Sequence, residues 1–115
     1  MTKYSFLDDY SEGCHPKILQ AMVASNMSQQ PAYGHDDYSQ SARTLIRHHL
    51  HNKETPVFFI AGGTLANIII MSSALRPHEA IISAATGHIA IRETGAIEAT
   101  GHKIISVPSA DGKLT

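Results

Sequence analysis

Three residues near the middle of the chain, Gly62-Gly63-Thr64, have the right types and spacing to bind an anion through the backbone. They follow the apolar run 57–61 and precede a helix-like segment. Glycines let the backbone approach a ligand closely, and the free N–H groups of a first helical turn attract phosphate. The segment lacks the Gly-Lys-Ser/Thr of a Walker loop and the third glycine of the dinucleotide fingerprint. The local pattern therefore fits phosphate binding and a simple glycine turn equally well.

His88 is a candidate for ring stacking or proton transfer. It follows Thr86-Gly87 at the expected carboxyl end of a short strand, and ligands bind at that edge of open α/β sheets. A histidine there could stack on a planar ligand or move a proton near neutral pH. The competing interpretation is a surface or hydrogen-bonded loop histidine. Glu93 either reaches back toward this site or is solvated, and the sequence does not separate the two.

Other reactive side chains fit ordinary structural roles better. On a helix only His48 and His51 of the local histidines share a face, and no nearby cysteine or acid completes a ligand set, so no metal site is expected. Cys14 and His15 are adjacent, and neighbouring side chains do not face each other on a helix, which argues against a nucleophile pair. Tyr33 lies in a polar loop that is either a site loop or a plain connection.

The hydrophobic pattern predicts the elements that position these residues. Continuous apolar runs bounded by Gly or Pro indicate buried strands, and helical spacing of apolar residues indicates helices. The second half of the chain alternates strand and helix with short connections, which predicts parallel strands and an α/β fold. The strand at 57–61 and the helix after it are expected to be buried. The predicted helices span residues 16–26, 42–52, 64–75 and 89–99, the last interrupted by Gly95, and the predicted strands span 57–61, 79–83 and 103–107.

Length and composition fit one compact domain or part of one. Of the 115 residues, 43% are apolar and 17% charged, which argues against intrinsic disorder. The net charge of -1 removes the electrostatic argument for binding nucleic acid or an acidic membrane. The uncharged run 57–75 is broken by glycines and polar residues, so it is not expected to span a membrane. A single cysteine and an opening segment without a secretion signal favour a cytoplasmic setting.

A set of motifs recurs in one order along the chain and is more specific than any single member. The set comprises Asp9-Tyr10-Ser11-Glu12-Gly13, His15-Pro16-x-Ile18-Leu19, Tyr33-Gly34-x-Asp36, Gly63-Thr64-x-Ala66-Asn67, His88 with Glu93 and Gly95, and Pro108-x-x-Asp111-Gly112-Lys113-Leu114. It resembles the amino-terminal part of the low-specificity threonine aldolases, in the β-eliminating lyase group of pyridoxal-phosphate enzymes with the aspartate-aminotransferase fold (fold type I). The resemblance implies that residues 1–115 are the front of a three-layer αβα large domain with a mostly parallel sheet, and include no second domain.

The same resemblance implies an activity and a cofactor. The reaction would be cleavage of a β-hydroxy-α-amino acid to glycine and an aldehyde, with pyridoxal 5'-phosphate as the electron sink. Gly63 and Thr64 would hold the cofactor phosphate, and Gly62 would help to form the turn. His88 would stack on the pyridine ring and assist proton transfer from the substrate hydroxyl, with Glu93 behind it. A small amino-acid substrate and a homo-oligomer are also implied.

Two residues of the first half are implied to lie near the substrate. Tyr33 would belong to a loop at the active site of its own or a neighbouring subunit. Asp8 stands where family members commonly carry a substrate-contacting serine, so a preference for threonine does not follow from the sequence. The Schiff-base lysine, the aspartate at the pyridine nitrogen and the carboxylate-binding arginines occur later in such proteins, so we expect a truncated chain that is inactive alone. The alternatives are a non-catalytic interaction fragment, another pyridoxal-phosphate β-eliminating lyase, and a small phosphate- or nucleotide-binding domain.

Overall fold

The computed structural model describes residues 5, 7, 8 and 10–114. Asp9 and the first four residues, on which part of the sequence analysis rests, lie outside the described residues. The chain divides into two compact units, residues 1–57 and 58–115. The first contains helices α1 (Pro16–Ser25) and α2 (Asp37–His49), and the second contains helix α3 (Gly63–Ala74), strand β1 (Ala80–Ala84), helix α4 (His88–Ile91), a 3₁₀ turn (Glu98–Thr100) and strand β2 (Lys103–Val107). Helices combined with a parallel sheet confirm the predicted α/β class.

Helix α1 has the bounds that its sequence predicts. Pro16 occupies the first helical turn, where its missing N–H costs nothing, and the His15 ring accepts a hydrogen bond from the Lys17 N–H at 3.2 Å. The helix ends at Asn26, whose N–H bonds the Val23 carbonyl. These contacts at both ends confirm the helix expected over residues 16–26.

Helix α2 is stopped at both ends by specific hydrogen bonds. The Asp36 side chain accepts from the Ser39 N–H at 2.7 Å, an N-cap that starts the helix before the first residue expected. At the other end His51 has a left-handed φ of 51°, and the Asn52 N–H bonds the Arg47 carbonyl at 3.2 Å. This is the Schellman arrangement that ends many helices, and with it the helix ends at His49, three residues before the predicted end at Asn52.

Strands β1 and β2 form a parallel pair in the second unit. Ala80 lies opposite Lys103 and Ala84 opposite Val107, which confirms both predicted strands and their parallel direction. Parallel neighbours need a crossover, and the chain makes it through α4 and the 3₁₀ turn. Ile97 on this crossover is completely buried and forms the centre of a small core with Ala84.

The predicted strand at 57–61 is absent, so that prediction was wrong. These residues have no regular secondary structure, and the side chain of Phe58 is 77% exposed. The backbone turns at their end, where the Gly62 N–H bonds the Ile60 carbonyl at 3.0 Å. A buried parallel strand needs neighbouring strands and helices on both faces. In the part of the chain that the structure describes, the sheet holds β1 and β2 alone.

The helix predicted over 89–99 is much shorter than expected. Helix α4 is one turn long, and the chain then reverses at Thr94 and Gly95, which have φ values of 49° and 84°. Positive φ is incompatible with a right-handed helix, so the predicted interruption at Gly95 is complete. Glu93, the residue directly before this reversal, is only 3% exposed.

Helix α3 forms where predicted, but the expectation that it is buried was wrong. None of its described residues is buried, and Ile69 and Ile70 are exposed. The reason is the one that leaves residues 57–61 without a strand, since a two-stranded sheet offers little surface to cover an apolar helix. None of the described helices has the length and apolar character needed to cross a membrane.

Candidate functional site

The start of helix α3 is open and built by backbone groups. Gly62 has φ 93° and ψ 162°, a combination that is essentially restricted to glycine. It leads into Gly63 and Thr64 in the first helical turn, and the first helical bond is donated by Ala66 to the Gly62 carbonyl. The N–H groups of Gly63, Thr64 and the next residue therefore have no acceptor within the helix.

These groups fit a phosphate. The first turn carries no acidic residue, and among the described residues no side chain caps the helix. A Cβ built on Gly62 or Gly63 would meet nothing within 4 Å, so neither glycine is packed against another group on that side. Thr64 is exposed and adds a hydroxyl. Free N–H groups at the positive end of the α3 dipole are what binds the phosphate of a cofactor in many proteins.

The His88 ring is mostly exposed to solvent, and one of its nitrogen atoms contacts Glu93. Its side chain is 69% exposed, while Nδ1 lies 3.0 Å from Oε1 of Glu93, whose side chain is fully buried. Gly87 places the histidine directly after β1, because the Gly87 N–H bonds the Ala84 carbonyl at 2.8 Å. A Cβ on residue 87 would overlap the Ser83 hydroxyl, so α4 starts against the end of the strand. His88 therefore stands at the carboxyl end of β1, the edge at which it was expected.

Asn67 joins this cluster, and sequence reasoning missed it as a site residue. Its Nδ2 donates to Oε1 of Glu93 at 2.7 Å, across a separation of 26 residues in sequence. The available signal was a lone amide in an apolar helix, one turn after Thr64 in the Gly63-Thr64-x-Ala66-Asn67 motif. An ionised carboxylate oxygen only accepts hydrogen bonds. With Glu93 ionised, a neutral His88 ring would therefore carry its hydrogen on Nδ1 and leave Nε2 as the acceptor.

Asp8 and Tyr33, the two substrate-loop candidates, belong to the first unit. Asp8 is half-buried and accepts a hydrogen bond from the Ser11 hydroxyl. Tyr33 is 97% exposed and has a left-handed φ of 59°, an uncommon conformation for an aromatic residue. The turn that carries it is braced by Arg43, whose Nη1 donates to the Gly34 carbonyl at 2.6 Å.

Asp36, in the same unit, is a carboxyl group with a shifted pKa. The hydroxyl and the backbone N–H of Ser39 both donate to it at 2.7 Å. These bonds favour the charged form and hold the pKa of Asp36 below its ordinary value of 3.8. The Asp36 carboxyl group caps the start of α2, and this role explains its lowered pKa.

Comparisons with known proteins agree along nearly the whole chain. The family model for beta-eliminating lyases matches residues 6–115. Low specificity L-threonine aldolases from a Pseudomonas strain and from Pseudomonas aeruginosa are 34% and 32% identical over 110 residues, which cover 94% of this chain and 31% of each relative. A solved structure of threonine aldolase from Leishmania major is 52% identical, with a TM-score of 0.88 over 97% of this chain and 33% of its own.

These matches confirm both the resemblance and the predicted fold. Similarity to a solved structure at this identity and TM-score extends across the elements that carry His88, Glu93 and the start of α3. The chain spans about a third of the length of the relatives it matches. With a family model that covers almost every residue, the conclusion is direct: the chain belongs to the beta-eliminating lyase family.

Proposed function

We propose that these residues form the amino-terminal part of the cofactor-binding large domain of a pyridoxal-phosphate lyase of the threonine aldolase type. The reaction is cleavage of a β-hydroxy-α-amino acid to glycine and an aldehyde. One observation carries the proposal: an exposed histidine ring is held by a buried carboxyl group, which is bonded in turn to the helix whose open start offers donors to a phosphate. The names of the similar proteins support the same reaction class.

Each candidate site residue of the second unit has a part in this reaction. The N–H groups of Gly63 and Thr64 hold the cofactor phosphate, and Gly62 makes the turn that exposes them. His88 stacks on the pyridine ring, and its Nε2 accepts the proton that leaves the substrate hydroxyl as the carbon–carbon bond breaks. Glu93 holds the hydrogen on Nδ1 and so keeps Nε2 free to accept. Bound pyridoxal phosphate supplies the sink for the electrons of that bond.

The remaining assignments concern substrate, assembly and location. Tyr33 belongs to a loop at the active site of its own or a neighbouring subunit, and its exposure and braced turn support this role. Asp8 replaces a substrate-contacting serine and shifts the preference among small amino-acid substrates. We place the protein in the cytoplasm, since its single described cysteine is an exposed free thiol. The cofactor-binding lysine is supplied by sequence outside these 115 residues, in line with the share of the relatives that the chain spans.

The decisive experiment measures the products that the protein forms at its natural length. We expect glycine and the matching aldehyde in equal amounts from at least one of a set of β-hydroxy-α-amino acids that includes threonine, loss of activity when pyridoxal phosphate is dialysed away, and recovery when it is added back. Ammonia and a keto acid in their place would identify another β-eliminating lyase. Absence of both product sets, with no binding of pyridoxal phosphate, would overturn the proposal.

A second candidate function rests on exposed apolar side chains. On α1, Leu19, Met22 and Val23 line one surface cavity and are all exposed. Such a face favours a non-catalytic interaction or oligomerisation module. Concentration-dependent assembly of a protein that binds no pyridoxal phosphate, measured by light scattering and equilibrium dialysis, would favour this alternative over the lyase.

A further inference from the structure

The cluster at Glu93 has an unusual distribution of hydrogen bonds. Two nitrogen atoms, Asn67 Nδ2 at 2.7 Å and His88 Nδ1 at 3.0 Å, converge on Oε1. The other oxygen, Oε2, is buried and has no hydrogen-bond partner in the part of the chain that the structure describes. One oxygen therefore carries every described hydrogen bond of a carboxyl group whose side chain is fully buried.

This distribution gives Asn67 a specific task. The terminal torsion of a glutamate is broad and two-fold, so a single bond to His88 leaves the carboxyl group free to exchange its oxygens or to tilt. A second donor on the same oxygen, coming from a different element, removes that freedom. The amide of Asn67 is anchored in α3, and so it fixes the plane in which Oε1 meets the histidine.

The backbone directly after Glu93 is strained. Thr94 follows Glu93 directly and has a left-handed φ of 49°, which costs about 1–3 kcal/mol for a residue other than glycine. Gly95 continues the reversal with φ 84°. Strained backbone that persists beside a buried polar group indicates that the position of that group is tightly determined.

We propose that Asn67 is a positioning residue that acts through Glu93 to fix which nitrogen of His88 carries the hydrogen. With Oε1 held as an acceptor, the hydrogen stays on Nδ1 and Nε2 stays free. The importance of this for turnover rests on the proposed function, in which Nε2 accepts a proton from the substrate. The effect on the tautomer does not depend on that function, because it is a property of the three side chains.

The test is the tautomer of His88 in cofactor-free protein of natural length, labelled with 15N-histidine and measured by NMR at a pH where the ring is neutral. The His88 signals are assigned with His88→Gln. We expect the Nδ1–H form to dominate in the unchanged protein and to become the minor form in Asn67→Leu. Ser73→Ala, which removes a hydroxyl bonded within α3 itself, is the matched control and should leave the tautomer unchanged.

A double substitution shows whether Asn67 acts through Glu93. In a Glu93→Leu background, Asn67→Leu should cause no further change in the tautomer, because the link is already broken. An additional change there, or an unaltered tautomer in Asn67→Leu alone, would contradict the proposal. Asn67→Ala, smaller and without a donor, replaces Asn67→Leu if the latter fails to fold by circular dichroism.

Kinetics then separate this inference from the proposed function. If the protein is a lyase, Asn67→Leu should lower kcat about tenfold with little change in KM, the loss expected for one positioned hydrogen bond. A shifted tautomer in a protein without lyase activity would leave the positioning role intact and remove the proposed function alone. An active lyase in which Asn67→Leu leaves the His88 tautomer unchanged would keep the proposed function and remove the positioning role of Asn67.

Discussion

The start of α3 and the cluster at Glu93 lie in one unit and present their groups in opposite ways. At the start of α3 the donors are backbone N–H groups in open surroundings. Their geometry depends on the conformation of Gly62. At Glu93 the side chains hold one another, with two bonds of 2.7 and 3.0 Å to one buried oxygen. The first site depends on backbone geometry and the second on side-chain identity, so the two should respond differently to substitution.

The largest expected effect is at the exposed end of the Glu93 cluster. His88→Ala removes the proposed acceptor for the substrate proton and should lower kcat at least about 100-fold, the usual range for a general acid or base. The fold should be retained, because the ring is mostly exposed. His78→Ala, an exposed histidine in the turn before β1, is the matched control for steady-state kinetics. Equal activity of the two variants would remove His88 from the mechanism.

A smaller effect distinguishes two adjacent glycines at the start of α3. Gly62→Ala places a side chain in a conformation that is nearly exclusive to glycine and should lower the free energy of unfolding by about 1–3 kcal/mol. Gly63→Ala lies in helical backbone with open space around its Cβ and should change that free energy by less than about 0.5 kcal/mol. Urea denaturation measures both. Similar losses in the two variants would show that the turn does not depend on Gly62.

Thr64 tests the side-chain contribution at the same helix start. Thr64→Val removes one hydroxyl donor and should weaken binding of pyridoxal phosphate about fivefold, without a change in stability. Thr64→Ser keeps the hydroxyl and is the control. Calorimetric titration with pyridoxal phosphate and with pyridoxal distinguishes a phosphate contact from a ring contact. An equal loss for both ligands would show that Thr64 does not contact the phosphate.

The smallest expected effect is at Asp36, an acid whose bonds are local, in contrast to those of Glu93. Its pKa is lowered in the folded state, so its charged form adds stability above the unfolded pKa, and that stability is lost as pH falls through the folded pKa. Asp36→Asn keeps a cap but loses the charge. The stability difference between the two proteins should therefore be present at about pH 6 and shrink below about pH 4. Urea midpoints across this range measure it, and a difference independent of pH would contradict the assignment.

Local signals were enough to predict most of the elements. The strand at 103–107 was predicted with its observed bounds, and the strand at 79–83 was predicted within one residue, because short β-branched runs end at Gly, Pro or turn residues. The glycine turn and the edge position of His88 follow from the same local order of strand, turn and helix. Features that depend on neighbouring residues in the sequence could therefore be predicted.

Features that depend on residues distant in sequence could not be predicted from local patterns. The run 57–61 has the composition of a buried strand, yet a strand exists only where another strand pairs with it, and composition does not show the partner. The Asn67–Glu93 bond spans 26 residues, and the sequence left open whether Glu93 reaches back toward the site or is solvated. The reversal at Thr94, a residue type that seldom adopts positive φ, carries no local signal.

In laboratory evolution, the close approach at Gly87 should make codon 87 intolerant of substitution, whereas the neighbouring codon 86 should tolerate it. Any side chain at position 87 would overlap the Ser83 hydroxyl and lie 2.9 Å from the Ala84 carbonyl oxygen. Even alanine would force the strand and the following turn apart. Thr86, one codon earlier, is exposed. A variant library around His88 therefore keeps more folded members if codon 87 is held constant and the diversity is placed at codon 86.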